Sequence, residues 1–318
     1  MTASGPQVAV VIPTRNRETR LSFALEALAE QTLTRDRFEV VVVRAADAAG
    51  PFANAPPGLR VRFLTHRGPP GPAAQRNTGW RAAEAPLIAF TDDDCRPDPQ
   101  WLERLLAASG DADVFVQGRT EPDPDERHLL IGLARTLHVD RPNDWYATCN
   151  MAYPAALLER LGGFDETFRF SAEDADLGLR AREAGARRVF EHRALVHHAV
   201  LPESLAGAIR EASRRDATPR LFARHPGHRR ELYYGAFWKK EHAALLLAMA
   251  GVVAFRRRPA IAAVAAAPYL NCYVDWRRAA TPRGLARIAL NLSARVMLDA
   301  AELAVTARGA LAERVLVL

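Results

Sequence analysis

Leu87-Ile88-Ala89-Phe90-Thr91-Asp92-Asp93-Asp94-Cys95 is the stretch on which the reading of this chain turns. Its first four residues are an unbroken apolar run of strand length, as in a strand covered on both faces. Three carboxylates follow at once, at the strand's carboxyl end. Side chains of an extended segment alternate, so Asp92 and Asp94 are expected on one side and Asp93 on the other. Two carboxylates converging at a strand end repel unless a cation lies between them. Oxygen ligands suit a hard divalent ion, Mn²⁺ or Mg²⁺. Such an ion keeps open positions for a diphosphate and neutralises its charge as it leaves. The plainer reading is a solvated acidic turn, but three aspartates after a buried strand are costly without a use.

Outward from this stretch, strand and helix signals alternate. Val8 to Ile12 is a second apolar run, stopped by Pro13. Leu21, Ala24, Leu25 and Leu28 then recur at helical spacing. Phe38 to Val43 and Val61 to Leu64 read as strands. Residues 68–72 are a Gly/Pro loop, and Ala73 to Ala85 reads as a helix with Pro72 near its start. Trp101 to Ala108 is a helix, Val114 to Gln117 a strand, and 120–147 a loop region with one short helix. Leu157 to Leu161 ends at Gly162-Gly163. Glu173 to Ala184 is a helix closed by Gly185, and Arg188 to His198 a strand. This order predicts an α/β fold, Rossmann-like, with a mostly parallel sheet flanked by helices and ligands at the carboxyl ends of its strands.

Four further groups carry chemistry. Glu173, Asp174 and Asp176 crowd a helix N-terminus, where acids complement the dipole or supply a general base. Pro13, Thr14, Arg15 and Asn16 form the turn after the first strand. Arg76 and Asn77 lie within the first turns of a helix whose N-terminus suits an anion. His197 and His198 end a strand and face opposite ways, so at most one joins the metal.

The chain has 318 residues, 49% hydrophobic and 25% charged. That composition excludes disordered, collagenous and disulfide-scaffold classes. Cys95, Cys149 and Cys272 fit no metal spacing and suggest a reducing compartment. Met1 to Gln7 has neither the basic nor the apolar region of a signal peptide. Residues 1–216 carry 27 basic and 31 acidic side chains, a net −4, whereas residues 217–318 carry 16 and 6, a net +10. Within that basic part, 243–255 and 259–274 are uncharged and flank Arg256-Arg257-Arg258. Each run is shorter than the roughly 20 residues that span a bilayer. Two such helices are expected to lie in one leaflet with arginines on anionic headgroups, or to pack as a buried hairpin. Nucleic acid is not an expected partner, because no exposed stacking aromatics are interleaved with the basic residues.

Taken in order, Val10-Val11-Ile12-Pro13-Thr14-Arg15-Asn16, the aspartate triplet, Asn150-Met151-Ala152, Leu161-Gly162-Gly163-Phe164-Asp165-Glu166 and Glu173-Asp174-Ala175-Asp176-Leu177-Gly178-Leu179-Arg180 resemble the family 2 glycosyltransferases of GT-A fold. The resemblance covers about residues 7–200. It implies inverting, metal-dependent transfer of a sugar from a nucleotide-diphosphate donor. By that likeness Asp92 and Asp94 form the DxD-type motif on ribose, metal and diphosphate, with Asp93 beside them. Asp174 is the base and Glu173 its support. Pro13, Thr14, Arg15, Asn16, Arg76 and Asn77 line the nucleotide side, and Asn150, Gly162 and Gly163 the acceptor side. Relatives usually carry an aspartate after the second strand for the nucleotide base. Here Arg44 stands there and Asp47 follows. A basic residue common after the Asn-Met-Ala strand is Pro154 here. These features imply a catalytic domain at 1–216 and a helical region at 217–318 that associates with a membrane or forms a homodimer. The implied acceptor is a lipid-linked or cell-envelope glycan, at the inner face of a bacterial membrane. A soluble natural-product or protein glycosyltransferase and a non-catalytic sugar-nucleotide binder are the alternatives.

Overall fold

The computed structural model describes residues 5–48, 54–254, 258–274, 276 and 281–318. The chain divides into two compact units. One comprises Met1–Leu130 with Arg135–Leu201, the other Ile131–Ala134 with Pro202–Leu318. The first unit therefore ends short of residue 216, where the charge balance changes sign.

The first unit runs β1 (Val8–Thr14), α1 (Glu18–Ala29), β2 (Phe38–Ala45), β3 (Val61–His66), α2 (Pro72–Ala82), β4 (Leu87–Phe90), β5 (Cys95–Pro97), α3 (Trp101–Ser109), β6 (Val114–Pro122), β7 (Met151–Pro154), α4 (Ala155–Leu161), α5 (Glu173–Glu183) and β8 (Arg187–His198). The strands form one sheet in the order β3-β2-β1-β4-β7-β6-β8-β5. The expected parallel pairing holds across β3, β2, β1 and β4, and again between β6 and β8. β7 is antiparallel to β4 and β6, and β5 is antiparallel to β8. β5 escaped the sequence reading because three residues ending in proline leave no periodicity to see. α2 stops at Ala82 rather than Ala85, since Ala83 turns to extended backbone.

Every residue of β1 and β4 is buried, which accounts for their unbroken apolar runs. Val8, Val10 and Ile12 share a core with Leu21, Leu25 and Leu28 of α1 and with Trp101, Leu102 and Leu105 of α3. Val11 points to the other face, toward α2. There a Cβ on Gly79 would lie 2.4 Å from its Cγ1, so glycine allows that helix its close approach. Each fully buried Val or Leu contributes about 1.5–3 kcal/mol of transfer free energy. The same packing fixes where β1 and β4 end, and thus where Thr14 and the aspartates stand.

The second unit is helical: α6 (Leu205–Ala212), α7 (Thr218–Arg224), α8 (Lys240–Ala254), α9 (Pro259–Tyr273) and α10 (Pro282–Glu313). The two uncharged runs become α8 and α9. Arg256 and Arg257 of the triple-arginine turn lie outside the described residues. Ala244, Leu245, Tyr269 and Leu303 make a small core. Beside it, Asp299 accepts hydrogen bonds from the Tyr269 and Tyr273 hydroxyls, each at 2.8 Å. Glu302 faces Lys239, His242 and Arg215. Burial alone would raise its pKa. The His242 hydrogen bond and the two cations outweigh that and hold it down to about 2. His242, Asp299 and Glu302 lie close enough to share an ion, but Lys239 and Arg215 already neutralise Glu302.

The hairpin is not buried throughout. Val252 and Val253 of α8 and Val264 of α9 are 70%, 87% and 73% exposed. Among the described residues no helix is long and apolar enough to cross a membrane.

Candidate active site

The aspartate triplet does not stay extended. Cys95 N–H donates to the Asp92 carbonyl, a turn closed immediately after β4. The alternation expected along the triplet therefore fails. Asp92 points to α2, where Arg76 Nη2 donates to it at 2.8 Å. Asp93 and Asp94 point to the end of β1. Thr14 Oγ1 donates to Asp93 at 2.7 Å. Arg17 Nη1 donates to Asp93 at 3.2 Å and to Asp94 Oδ2 at 2.7 Å. Burial pushes Asp93 up to about 7, a rise that Arg17 opposes only in part.

Arg76 carries the second half of the geometry. It is buried on α2, and its Nη1 donates to Glu173 at 2.9 Å while Nη2 holds Asp92. One guanidinium thus joins two acidic segments that lie far apart in sequence. The ring of Phe164 sits 5.7 Å from its Cζ. Nε of Arg76 and Oε2 of Glu173 are buried with no partner, so each retains a polar valence at the site. Ala172, the residue before α5, has φ +70°. An alanine there is strained by about 1–2 kcal/mol, and the turn it makes sets the direction of Glu173 and Asp174. Asp174 is partly accessible, and its Oδ1 accepts from Ala175 N–H at 2.9 Å. Burial and the neighbouring Glu173 carboxylate push it up to about 7 against the pull of Arg76. That is a proton affinity suited to a base near neutrality.

Several expected residues do something else. Asn77 is buried, and its amide donates to the Phe164 carbonyl and Glu166 while its oxygen accepts from Trp80 and Phe164 N–H. It clamps the 162–166 loop and has no group left for a nucleotide. Gly162, at φ +74°, caps α4. A Cβ on Gly163 would fall 2.4 Å from Asn77 Oδ1. The two glycines thus let the loop close on Asn77. Asn150 is likewise turned inward: it accepts from Trp101 Nε1 and donates to the Arg119 and Ala194 carbonyls. It fastens β7 into the sheet and offers nothing to an acceptor.

Pro13 is buried, whereas Arg15 and Asn16 are exposed at the carboxyl edge, Asn16 with φ +55°. Arg15 pairs with Asp47 at 2.6 Å, which ties the segment after β2 to the turn after β1. Arg44 lies opposite Thr14 in the register of β1 and β2. Arg17 lies just past the first of the family-like motifs, while Glu166 and Arg180 close two others without a role visible in their spacing. Arg180 binds Asp176 and the carbonyls of Leu161 and Gly163, tying the 162–166 loop to α5. Only an acid four residues before Arg180 hinted at this. Nothing local pointed to Arg17.

The metal-capable cluster here comprises Asp94, Cys95 and His198 and does not include Asp92. His198 is opposite Cys95 in the β5–β8 ladder. Its Nδ1 donates to the Ala199 carbonyl at 2.8 Å. In the neutral ring that leaves the Nε2 lone pair facing Asp94 Oδ1, 3.8 Å away. A hydrogen bond of this kind fixes the tautomer of a metal-binding histidine. The Cys95 thiol is buried and pushed well above its usual range, so it stays protonated and is a poor ligand for a hard ion. His197 is set among Asp123, Arg96 and Glu121, outside the cluster, and burial lowers its pKa. Asp94 and His198 therefore fit a divalent cation; Asp92 and His197 do not join them. A cavity of about 240 Å³ opens beside Asp94.

Residues 9–151 match the glycosyl transferase family 2 model. The chain is 32% identical over 242 residues to a pre-mycofactocin glycosyltransferase of Mycobacterium tuberculosis, covering 70% of this chain and 50% of the relative. It is 30% identical over 231 residues to a validoxylamine A glucosyltransferase of Streptomyces hygroscopicus subsp. limoneus, covering 58% and 49%. The chain thus spans about half the length of these curated relatives. The mannosyltransferase PcManGT of Pyrobaculum calidifontis, solved with GDP-Man and Mn²⁺, shares the fold at TM-score 0.56 and 21% identity, over 96% of this chain and 87% of that one. With the aspartate turn of β4, the acidic start of α5 and the 162–166 loop all in place around Arg76, the chain belongs to glycosyl transferase family 2.

Proposed function

We propose that this chain transfers a sugar from a nucleoside-diphosphate donor to a hydroxyl of a lipid-linked or cell-envelope glycan, with inversion. The observation that carries the reading is Arg76, which bridges Asp92 to Glu173 and sets the base Asp174 beside the donor-side turn. In the transfer, Asp174 takes the proton of the acceptor hydroxyl as its oxygen attacks the anomeric carbon. The bond from that carbon to the diphosphate oxygen breaks, and its electron pair leaves with the nucleotide. One in-line displacement needs one base and inverts the carbon. Asp94 and His198 would hold a divalent cation, which would supply neutralisation of charge on the leaving diphosphate. A nitrogen and oxygen donor pair favours Mn²⁺ over Mg²⁺. Arg15, Asp47 and Arg44, at or just past the carboxyl ends of β1 and β2, are the residues assigned to the nucleoside. PcManGT, solved with GDP-Man and Mn²⁺, is consistent with both ligands.

Purified protein is expected to gain thermal stability from one of UDP, GDP, dTDP or CDP, and only when Mn²⁺ is present. A ligand at about 100 times its dissociation constant adds roughly 2.7 kcal/mol. No gain from any nucleotide, in folded protein, would sink the donor-site reading.

The acceptor assignment rests on the second unit. Its basic balance and the exposed Val252, Val253 and Val264 suit a peripheral attachment to an anionic membrane, from the cytoplasmic side. The full chain is expected to sediment with phosphatidylglycerol vesicles, and a Val253→Glu, Val264→Glu variant to stay in solution. If the parent chain also stays in solution and scatters light as a dimer, these helices are a subunit interface instead. The names of the mycobacterial and Streptomyces relatives, which specify pre-mycofactocin and validoxylamine A, favour the acceptor of that alternative, a natural product.

A further inference from the structure

Asp94 is a carboxylate with two different neighbours. Its Oδ1 faces His198 Nε2 at 3.8 Å. Its Oδ2 accepts from Arg17 Nη1 at 2.7 Å, and the same nitrogen reaches Asp93 Oδ1 at 3.2 Å. A cation that drew on both oxygens of Asp94 would have to displace Arg17. A cation held by Oδ1 and His198 alone has one protein oxygen and one nitrogen, with a fixed positive charge on the far side of the same carboxylate. Asp93 adds little to the attraction, because Thr14 and Arg17 already occupy it.

We propose that Arg17 keeps the cation site weak until a nucleoside diphosphate arrives. It holds Asp94 to a single free oxygen and repels a second positive charge. The diphosphate brings the anionic oxygens that complete the coordination and offset Arg17. Cation and nucleotide then each raise the other's affinity by the same factor, as linkage requires. Arg17 is on this account a positioning residue, acting through Asp94. The inference rests on the metal reading of Asp94 and His198 given above.

The test is binding of Mn²⁺ alone, followed by the paramagnetic signal of free Mn²⁺ and by calorimetry, then repeated with saturating GDP and UDP. The parent protein should bind Mn²⁺ weakly, and at least about tenfold more tightly with the accepted nucleotide. Arg17→Gln should bind Mn²⁺ alone about tenfold more tightly than the parent, as loss of a nearby, partly screened charge allows, and lose most of the coupling. Arg17→Lys keeps the charge on a side chain one atom shorter, which cannot hold both carboxylates from the same place, so it should fall between the two. The side chain of Arg17 is 40% exposed, and melting temperature confirms folding of each variant. Should Arg17→Gln not fold, Arg17→Lys decides alone: tighter Mn²⁺ binding than the parent supports the proposal. Unchanged or weaker Mn²⁺ binding in the folded variants overturns it, while the parent's nucleotide-dependent uptake leaves the metal reading standing. If the parent takes up no Mn²⁺ with or without nucleotide, the metal reading falls and the proposal with it.

Discussion

Asp174→Asn is expected to lower turnover by about 10²–10⁴-fold, the usual range for removing a general base. Donor binding should change little. Asn has the shape of Asp, and its oxygen can still accept the Ala175 N–H that Asp174 holds. The substitution also removes one of the two adjacent carboxylates beside Arg76, so the fold loses no needed charge. The pH profile gives a second readout. In the parent, burial and Glu173 push Asp174 up to about 7. The base works only when deprotonated, so turnover should rise with pH through about 7 and level above it. The variant's residual rate should lack that rise. Normal turnover in Asp174→Asn would remove this residue from its role. A flat profile in the parent would place the working proton elsewhere.

The strands that position the site were legible because they are buried on both faces. Residues of β1 and β4 read as apolar runs, and such runs end at the polar carboxyl edge of the sheet, at Thr14 and Thr91. What followed the strand was not legible. Period-two alternation applies only to extended backbone. The Asp92–Cys95 turn bond ends the extension, which is why Asp92 goes to Arg76 and Asp93 and Asp94 go together to Arg17. The same limit explains Asn77 and Asn150. An amide saturated by backbone carbonyls has the same sequence context as one waiting for a ligand. Only the partners tell them apart. The Gly162-Gly163-Phe164-Asp165-Glu166 loop had no chemistry visible in its spacing. Folded, it is held by Asn77 on one side and Arg180 on the other, and it sets Phe164 against Arg76. The helical second unit followed from composition, but its exposed valines needed a structure to find.

Arg76→Met is expected to destabilise the protein by about 3–5 kcal/mol, the cost of breaking a buried ion pair from one side. Arg76 and Glu173 have side chains 5% and 6% exposed, so water screens their bond little. Methionine fills much of the same volume, which leaves loss of charge as the main change. Asp92, Glu173 and Asp174 then share a site with no cation between them. Burial already raises Glu173 and Asp174 above their ordinary values, and losing Arg76 raises both further. A carboxyl whose pKa is higher in the fold than in the open chain favours unfolding once pH passes the open-chain value, with the cost growing up to the folded value. The stability lost in the variant should therefore be larger at pH 8 than at pH 5, as urea unfolding of parent and variant at both values will register. Arg76→Lys should not restore the parent, since one ammonium cannot make the two-armed bridge to Asp92 and Glu173. A loss below about 1 kcal/mol, equal at both pH values, would mean that Arg76 does not hold the two acidic segments together. Asp174 would then owe its placement to α5 alone.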